Sequence, residues 1–412
     1  MVEVVLLTLE KLMEEIGCKK WPEVWQELYP VAKTKLEKGE YRCLTEDYYD
    51  YLDEKYSIFA AYPFIDVFKK AAKETAKDEN ASLFLALMAE TLADRENVYK
   101  NLGELEYPEN AENFVYSMLR GLAFLSMADY TAEVLKSRGI PEEVILKILR
   151  NLPNGVDTHR KCYNGKDGFM DFNWNQRMID GNLIPIKRLV AEVESKFAPN
   201  ACVFVNDEGE ALTMADGVKL HKSGFIFGVT GYKDEEGSWF ADIKETEDSY
   251  IGYAYNSKGM VDSAPVTLPK NKWRKIVSKG DKVIDLHIPG GGGLTPELVD
   301  ESLKEIKAFI SKHYPEYNYE VFQCWSWLCD PQLIEILGED TNISKFTARF
   351  TPIRVPDDSM PVFRFVFNIP HSNFKIEDLP ENTTLERKLK KHFLSGKRIY
   401  GTAGYFLKSD VK

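Results

Sequence analysis

Two short stretches of the chain hold the residue types that do chemistry. The first is Asp285 and His287, inside DKVIDLHIP (281–289). In a strand alternate residues share a face, so a carboxylate and an imidazole stand together while Ile284, Leu286 and Ile288 take the other side. Such a pair is a candidate general base with its orienting group. Its structural alternative is a histidine satisfied by neighbouring backbone, next to a solvated aspartate. The second stretch is Gly290, Gly291, Gly292 and Gly293, followed by Leu294 and Thr295. Four residues without a Cβ let the backbone curl and aim several N–H groups at one point. Thr295 fits a helix N-cap and Pro296 the first helical position, so unpaired donors and a partial positive charge stand beside the glycines. That is a cradle for a phosphate or pyrophosphate, or else a flexible turn that reverses the chain.

The cradle departs from the better-known phosphate loops. No Lys-Ser or Lys-Thr follows it, against a nucleotide-hydrolase loop. It is not GxGxxG, and it comes late, after a mostly β stretch, against a dinucleotide fold. A third stretch, YEVFQCWSWL (319–328), puts Cys324, Ser326 and Leu328 on one strand face and Trp325 and Trp327 on the other. A nucleophilic Cys324 would need a lowered pKa, and no base adjoins it in sequence.

These residues need a scaffold, and the pattern supplies one in two parts. Residues 1 to about 150 read as helices, with Phe114, Met118, Leu122 and Leu125 at helical spacing, Gly139 as a closing residue and Pro141 opening the next helix. Turn residues dominate 152–169, which sets the expected boundary: domains 1–155 and 156–412. From 183 to 289 the segments LIPIKRLVAEVE, GFIFGVTGY, SWFADIKE and SYIGYAYN read as strands. Then come strand 282–289, the glycine loop, a helix with Val299, Leu303, Ile306 and Ile310 as its buried stripe, and strand 319–328. A short helix opens at Asp330 and Pro331, and two strands, FTARFTPIRV and MPVFRFVFN, follow it. The tyrosine-rich run Tyr41, Tyr48, Tyr49, Tyr51, Tyr56 and Tyr62 reads as helix packing before pocket lining. The basic stretch Arg387, Lys388, Lys390 and Lys391 reads as a solvated helix face.

The whole chain has 412 residues, 53 Lys and Arg against 65 Asp and Glu, and a net charge of −12. This length favours two domains with a sizeable core. The acidic balance argues against a general nucleic-acid binder. Six scattered cysteines with no CxxC pair fit a reducing cytoplasm. The start, MVEVVLLTLEKLMEEIG, with Glu3 and Glu10, reads as an amphipathic helix and not as a secretory signal. No segment is a good membrane span. His159, His221, His313, His371 and His392 show no ligand spacing, so no metal site is expected.

Strand, glycine loop, helix, strand, short helix and two strands is the order of the second half of the GNAT acyltransferase fold. The chain resembles a family of bacterial acyltransferases with a helical N-acyltransferase N-terminal domain and a GNAT-like C-terminal domain. The resemblance is carried by DLHIPGGGGLTPELVDESL (285–303), CWSWLCDPQL (324–333) and DTNISKF (340–346). It implies an α+β protein, an all-helical domain followed by a mixed β-sheet domain flanked by helices. It implies that acyl-CoA rests its pyrophosphate on Ile288, Gly290, Gly291, Gly292, Gly293, Leu294 and Thr295, with pantetheine between two splayed parallel strands. His287 would then be the general base, Asp285 its orienter or an acceptor-binding carboxylate, and Ser326 the donor to the departing thiolate. The basic stretch 387–391 could meet the adenosine 3′-phosphate.

Three departures from the pattern stand out. PGGGGLT replaces the usual Arg or Gln with spaced glycines, Trp325 stands where a smaller residue is expected, and the helix PQLIEIL lacks the tyrosine that serves many relatives as an acid. The expected activity is N-acyl transfer from acyl-CoA, with acetyl-CoA the default co-substrate, to a small-molecule amine. The alternatives are a non-catalytic protein that binds CoA or a phosphate ligand on a decayed fold of this type, and an interaction protein in which the helical half carries the work.

Overall fold

The computed structural model describes residues 8–108, 113–170, 172–229, 231–356, 359–370 and 372–412. Two compact units are present, Met1–Leu183 and Ile184–Lys412. The division comes later than the 155/156 boundary expected from turn composition. Asn154 and Gly155 begin a helix instead of a loop, and another helix follows before the first strand. Residues 1–7 of the expected N-terminal amphipathic helix, and His371, lie outside the described residues.

The first unit is built from α1 (Leu9–Ile16), α2 (Trp25–Glu37), α3 (Glu46–Tyr56), α4 (Ile65–Thr75), α5 (Glu79–Ala93), α6 (Val98–Glu104), α7 (Phe114–Leu125), α8 (Ala128–Ser137), α9 (Glu142–Leu149), α10 (Asn154–Cys162) and α11 (Phe172–Ile179). Caps set their starts: the side chains of Thr8, Asp78 and Asn113 accept first-turn amides of α1, α5 and α7. Helix α5 is apolar nearly all round and is buried nearly all round, which makes it the central helix. Trp25 of α2 packs on it edge-to-face with Phe84 and donates its indole N–H to Thr91 at 2.7 Å. Gly139 closes α8 rather than the helix begun at Phe114, because the chain turns at Ser126 and Met127. The tyrosine run is packing: Tyr48 donates to the Leu125 carbonyl, Tyr49 to that of Cys43, and Tyr51 and Tyr56 both to Asp129.

The second unit carries the strands β1 (Leu183–Ile186), β2 (Leu189–Lys196), β3 (Ala201–Asn206), β4 (Ala211–Ala215), β5 (Val218–Leu220), β6 (Trp239–Ala241), β7 (Lys244–Glu245), β8 (Ser249–Tyr255), β9 (Val261–Pro269), β10 (Trp273–Ser278), β11 (Lys282–His287), β12 (Val321–Trp325), β13 (Thr351–Arg354) and β14 (Thr402–Leu407). Its helices are α12 (Pro296–His313), α13 (Gln332–Leu337), α14 (Asn342–Thr347), α15 (Met360–Phe367) and α16 (Thr384–Leu394). One sheet runs β1-β2-β11-β12-β14-β13 and a second β10-β3-β4-β8-β7, with β9 on β8. Val203, Val205 and Val277 of the second sheet interlock with Val283, Val321, Ile353 and Leu407 of the first. A 2.6 Å hydrogen bond between Thr213 and Tyr405 crosses the same layer. Helix α12 buries Val299, Leu303, Ile306 and Ile310, the stripe its sequence predicts, and packs over β2.

Three expected strands fold differently. MPVFRFVFN forms α15: alternation puts Phe363, Phe365 and Phe367 on one strand face, but the helix buries Phe363 and Phe367 and leaves Phe365 65% exposed. Pro361 in its first turn suits that helix and not a central strand. FTARFTPIRV splits between the end of α14 and β13. GFIFGVTGY, of which Thr230 lies outside the described residues, has turns around the left-handed Gly224 and Gly228 and a bridge from Ile226 to Leu220.

Candidate active site

The central pair of strands parts. β11 and β12 are parallel and share two residue pairs, Ile284 with Phe322 and Asp285 with Gln323. Beyond these, Leu286 and His287 continue to pair with Ala191 and Val190 of β2. On the other side Cys324 and Trp325 continue to pair with Gly404 and Ala403 of β14. Each strand therefore keeps its outer neighbour and loses its inner one, and a slot opens at the C-terminal ends of both. Strand β11 ends at His287 and β12 at Trp325, shorter than the expected 282–289 and 319–328.

The glycine loop stands at the mouth of that slot. Gly290 to Gly293 are exposed, Ile288 is half-buried and Leu294 is buried. Gly291 and Gly292 hold left-handed conformations, φ 75° and 64°, which any side chain would strain. Among the described residues none of the four glycine amides donates a hydrogen bond. Thr295 caps α12 by accepting from Leu298, and Pro296 sits in its first turn, as the sequence predicts. The loop is braced from the β1–β2 turn. Arg188 Nε donates to the Gly293 carbonyl at 2.9 Å, and the Arg188 amide donates to Ser302 Oγ at 3.0 Å. Lys187 pairs with Glu301 and Glu305 of α12 at 3.1 and 3.2 Å. Partial burial lowers the pKa of the Arg188 guanidinium, a cost that an anion on the loop would offset. Sequence reasoning passed over Arg188, since nothing in the spacing of IPIKRLV ties it to a loop a hundred residues on.

His287 is partly buried, and its Nε2 lies 2.7 Å from Glu192 Oε2 on β2. Glu192 is a carboxylate on the imidazole that sequence reasoning did not name. Glu192 and Asp285 are register partners across β11 and β2, so they share a face, and Glu192 reaches the imidazole on the diagonal. Asp285 Oδ2 accepts from Gln323 Nε2 at 3.0 Å, and Gln323 Oε1 accepts from the Ala198 amide at 3.2 Å. Asp285 is 8% exposed and marks the last rung before the strands separate. Glu192 thus joins Asp285, expected as orienter or acceptor-binding carboxylate, among the carboxylates beside His287.

Ser326 lies just past β12 and not within it. Its oxygen caps a short 3-10 turn by accepting the Leu328 amide at 3.2 Å, which leaves its proton to donate elsewhere. Trp325 is 45% exposed at the slot's edge. Cys324 and Cys329 are buried, with Cys329 Sγ 3.4 Å from the Cys324 carbonyl. Contact with the Cys329 thiol and complete burial push the Cys324 thiol well above its ordinary pKa, the reverse of what a nucleophile needs.

Elsewhere, His159 is fixed by the Lys166 carbonyl and His221 by Ser223 and Glu235. Among the described residues no group of three or more His, Cys, Asp and Glu side chains is placed to hold a metal ion. No described helix is long and apolar enough to cross a membrane. The basic stretch is tied down more than expected: Arg387 donates to the Glu381 carbonyl, Lys388 to that of Leu337 and Lys390 to that of Leu379.

Residues 197–406, just over half of the chain, match the family model described as the GNAT-like C-terminal domain. Residues 61–181 match the N-acyltransferase N-terminal domain. No curated protein matches the sequence. Several solved structures share the fold. A crystal structure of an acyltransferase in complex with decanoyl-CoA and teicoplanin has a TM-score of 0.60 at 18% identity, covering 97% of this chain and 98% of that one. An acyltransferase in complex with decanoyl-CoA has a TM-score of 0.55 at 20% identity, covering 84% of this chain and 83% of that one. An acyltransferase mutant in complex with octanoyl-CoA has a TM-score of 0.60 at 18% identity, with 97% and 98% covered.

Proposed function

Because the chain belongs to the acyltransferase family that joins an N-acyltransferase N-terminal domain to a GNAT-like C-terminal domain, we propose that it transfers an acyl group from acyl-CoA to an amine. The observation that carries this reading is the slot between β11 and β12, with unused glycine amides at its mouth. The diphosphate would sit on the Gly290–Gly293 amides and the N-terminus of α12, next to the Arg188 guanidinium. The pantetheine arm would fill the slot and bring the thioester to His287.

In the transfer the amine nitrogen bonds to the thioester carbon and the C–S bond breaks. His287 takes the amine proton, and Glu192 holds the imidazole and stabilises the imidazolium that forms. The Ser326 hydroxyl, whose proton is not used by the turn it caps, would donate a hydrogen bond to the departing thiolate. Asp285 keeps its brace to Gln323, which fixes the point where the strands part.

Acetyl-CoA is the simplest donor. The decanoyl and octanoyl thioesters held by the structural neighbours support a second reading with a longer acyl chain. Titration calorimetry with CoA, acetyl-CoA, octanoyl-CoA and decanoyl-CoA separates the two. A donor should also release free thiol when an amine panel is added. No saturable heat with any thioester removes the proposal. Saturable binding with no thiol release from any amine leaves the non-catalytic alternative in its place.

A further inference from the structure

A second concavity lies in the same unit, past the C-terminal end of β12. Two contacts place it there: the Ser326 amide donates to the Thr402 carbonyl at 3.0 Å, and the Tyr400 amide to Asp330 Oδ2 at 2.8 Å. The cavity has a volume of about 270 Å³ and is lined by Phe225, Met260 and Tyr400, with Arg354, Lys258 and Glu335. Neighbouring strands are spaced about 4.8 Å apart, so the start of β14 stands about 10 Å from β11 and its slot.

The polar groups have a direction. Asp330, fully buried, accepts from Arg354 Nη2 at 2.9 Å, from the Gln332 amide at 2.9 Å, from Gln332 Nε2 at 3.0 Å and from the Tyr400 amide. The carboxylate is amply supplied. Arg354 is 3% exposed and spends Nη1 on Thr402 at 2.8 Å, but its Nε is buried with no partner. That Nε has almost no accessible surface, so the Arg354–Asp330 pair is part of the cavity's frame, and the charges open to a ligand are those of the rim. Lys258 and Glu335 are exposed at the rim, one of each sign, and neither is in an ion pair among the described residues. The apolar side is a ring cluster: Phe225 has a centroid distance of 5.2 Å to Tyr400 and stacks on Tyr232 at 3.9 Å. Burial pushes Tyr400 up to about 12, so that wall is uncharged at neutral pH. The volume falls below the usual range for drug-sized ligands, which selects a small molecule over a large one.

We propose that this cavity is the acceptor pocket and that it takes an aromatic zwitterion of the size and charge of an aromatic amino acid. The carboxylate meets Lys258, the ammonium faces Glu335, and the ring lies against Phe225, Met260 and Tyr400. The acceptor role rests on the acyltransferase reading above. The ligand chemistry rests on the cavity alone. In transfer the ammonium loses one proton to solvent and swings from Glu335 toward the slot; its nitrogen bonds to the thioester carbon as the C–S bond breaks, and His287 takes the second proton.

The test titrates the full chain, without CoA, with L-phenylalanine, L-tryptophan, L-alanine, 3-phenylpropionate and 2-phenylethylamine, by calorimetry and thermal shift. Acyl-CoA is titrated separately. The aromatic amino acids should saturate and raise the melting temperature with dose. L-alanine and the two analogues lacking one charge should bind at least tenfold more weakly. Lys258→Ala and Glu335→Gln, both surface changes, should each weaken the amino acids several-fold. Met260→Trp should fill the cavity and abolish their binding while acyl-CoA affinity is unchanged. No saturation by either aromatic amino acid at about 10 mM, where a Kd near 1 mM would already saturate, overturns the proposal. So does equal binding of L-alanine, or binding that survives Met260→Trp in a folded protein. Amino-acid binding with no acyl-CoA binding keeps the ligand site and removes the acyltransferase reading instead.

Discussion

His287 Nε2 and Glu192 Oε2 meet at 2.7 Å across two antiparallel strands, at the point where β11 loses its pairing to β12. An imidazole held by a carboxylate beside that opening is the arrangement the proposed general base requires. General bases contribute roughly 10²- to 10⁴-fold. His287→Gln should lower kcat by about that range while the Kd for acyl-CoA stays within about twofold. Glu192→Gln should cost less and keep the fold. A folded His287→Gln enzyme that turns over at the parent rate removes the base.

Gly291 and Gly290 make a matched pair of tests. Gly291 sits at φ 75° with open space where a methyl group would stand, so Gly291→Ala meets only backbone strain. That strain is about 1–2 kcal/mol, relieved by rearranging the loop. The expected result is a rise in Kd for acyl-CoA of about tenfold with little change in global stability. Gly290 has open space and no positive φ, so Gly290→Ala should leave the loop's shape intact. Calorimetry on both variants decides it, and equal affinities would mean that the loop's curl is not what holds the ligand.

Much of this site was legible in sequence because it is local. Asp285, His287, the glycines, Thr295 and the stripe of α12 lie within one continuous segment, and period and capping chemistry place them. What sequence hid was non-local. Glu192 and Arg188 reach the site only through β-sheet register and a turn packed on α12, and neither leaves a mark in its own neighbourhood. The alternation that puts Asp285 and His287 on one face is real, but the bond from Gln323 to Asp285, across the parallel pair, could not be read from it. The strand expected at 360–368 failed for a related reason: Phe363 and Phe367 satisfy a period of two and a helical i, i+4 spacing alike, and Pro361 tips the balance.

Arg188 carries the next prediction. Its Nε is committed to the Gly293 carbonyl, and the guanidinium stands over the loop. A charge-assisted hydrogen bond contributes about 1.5–3 kcal/mol, or roughly 10- to 100-fold in affinity. Arg188→Gln should weaken acyl-CoA by about that factor and flatten the dependence of Kd on salt. A thioester of pantetheine alone, which has no diphosphate, should bind the variant and the parent equally. An equal loss for both ligands would assign Arg188 to bracing the loop and not to the phosphates.

The two buried thiols near the slot should be silent. Cys324 is fully buried beside Cys329, and its thiol is pushed well above the ordinary range. Alkylation of the folded protein at pH 8 should spare Cys324, read by peptide mass spectrometry. Cys324→Ala should keep the parent rate and lose ~1 kcal/mol of stability, the transfer term for a group of methylene size. Rapid alkylation with loss of activity would bring back the covalent route that the geometry argues against.

The buried ion pair of Asp330 and Arg354 gives the largest expected stability change. The two are 0% and 3% exposed and meet at 2.9 Å. Removing one partner strands the other charge in the interior, which costs about 3–5 kcal/mol. Asp330→Ala should lose that much in denaturant unfolding, and more than Arg349→Ala, whose salt bridge to Asp300 is solvent-exposed. Asp330 also anchors the Gln332 and Tyr400 amides, so its loss frees the loop after β12 and the lead into β14 together. The double change Asp330→Leu with Arg354→Met should recover part of the loss, since a neutral pair leaves no orphaned charge. A single variant as unstable as the double would place the energy in the amide anchors instead of the ion pair.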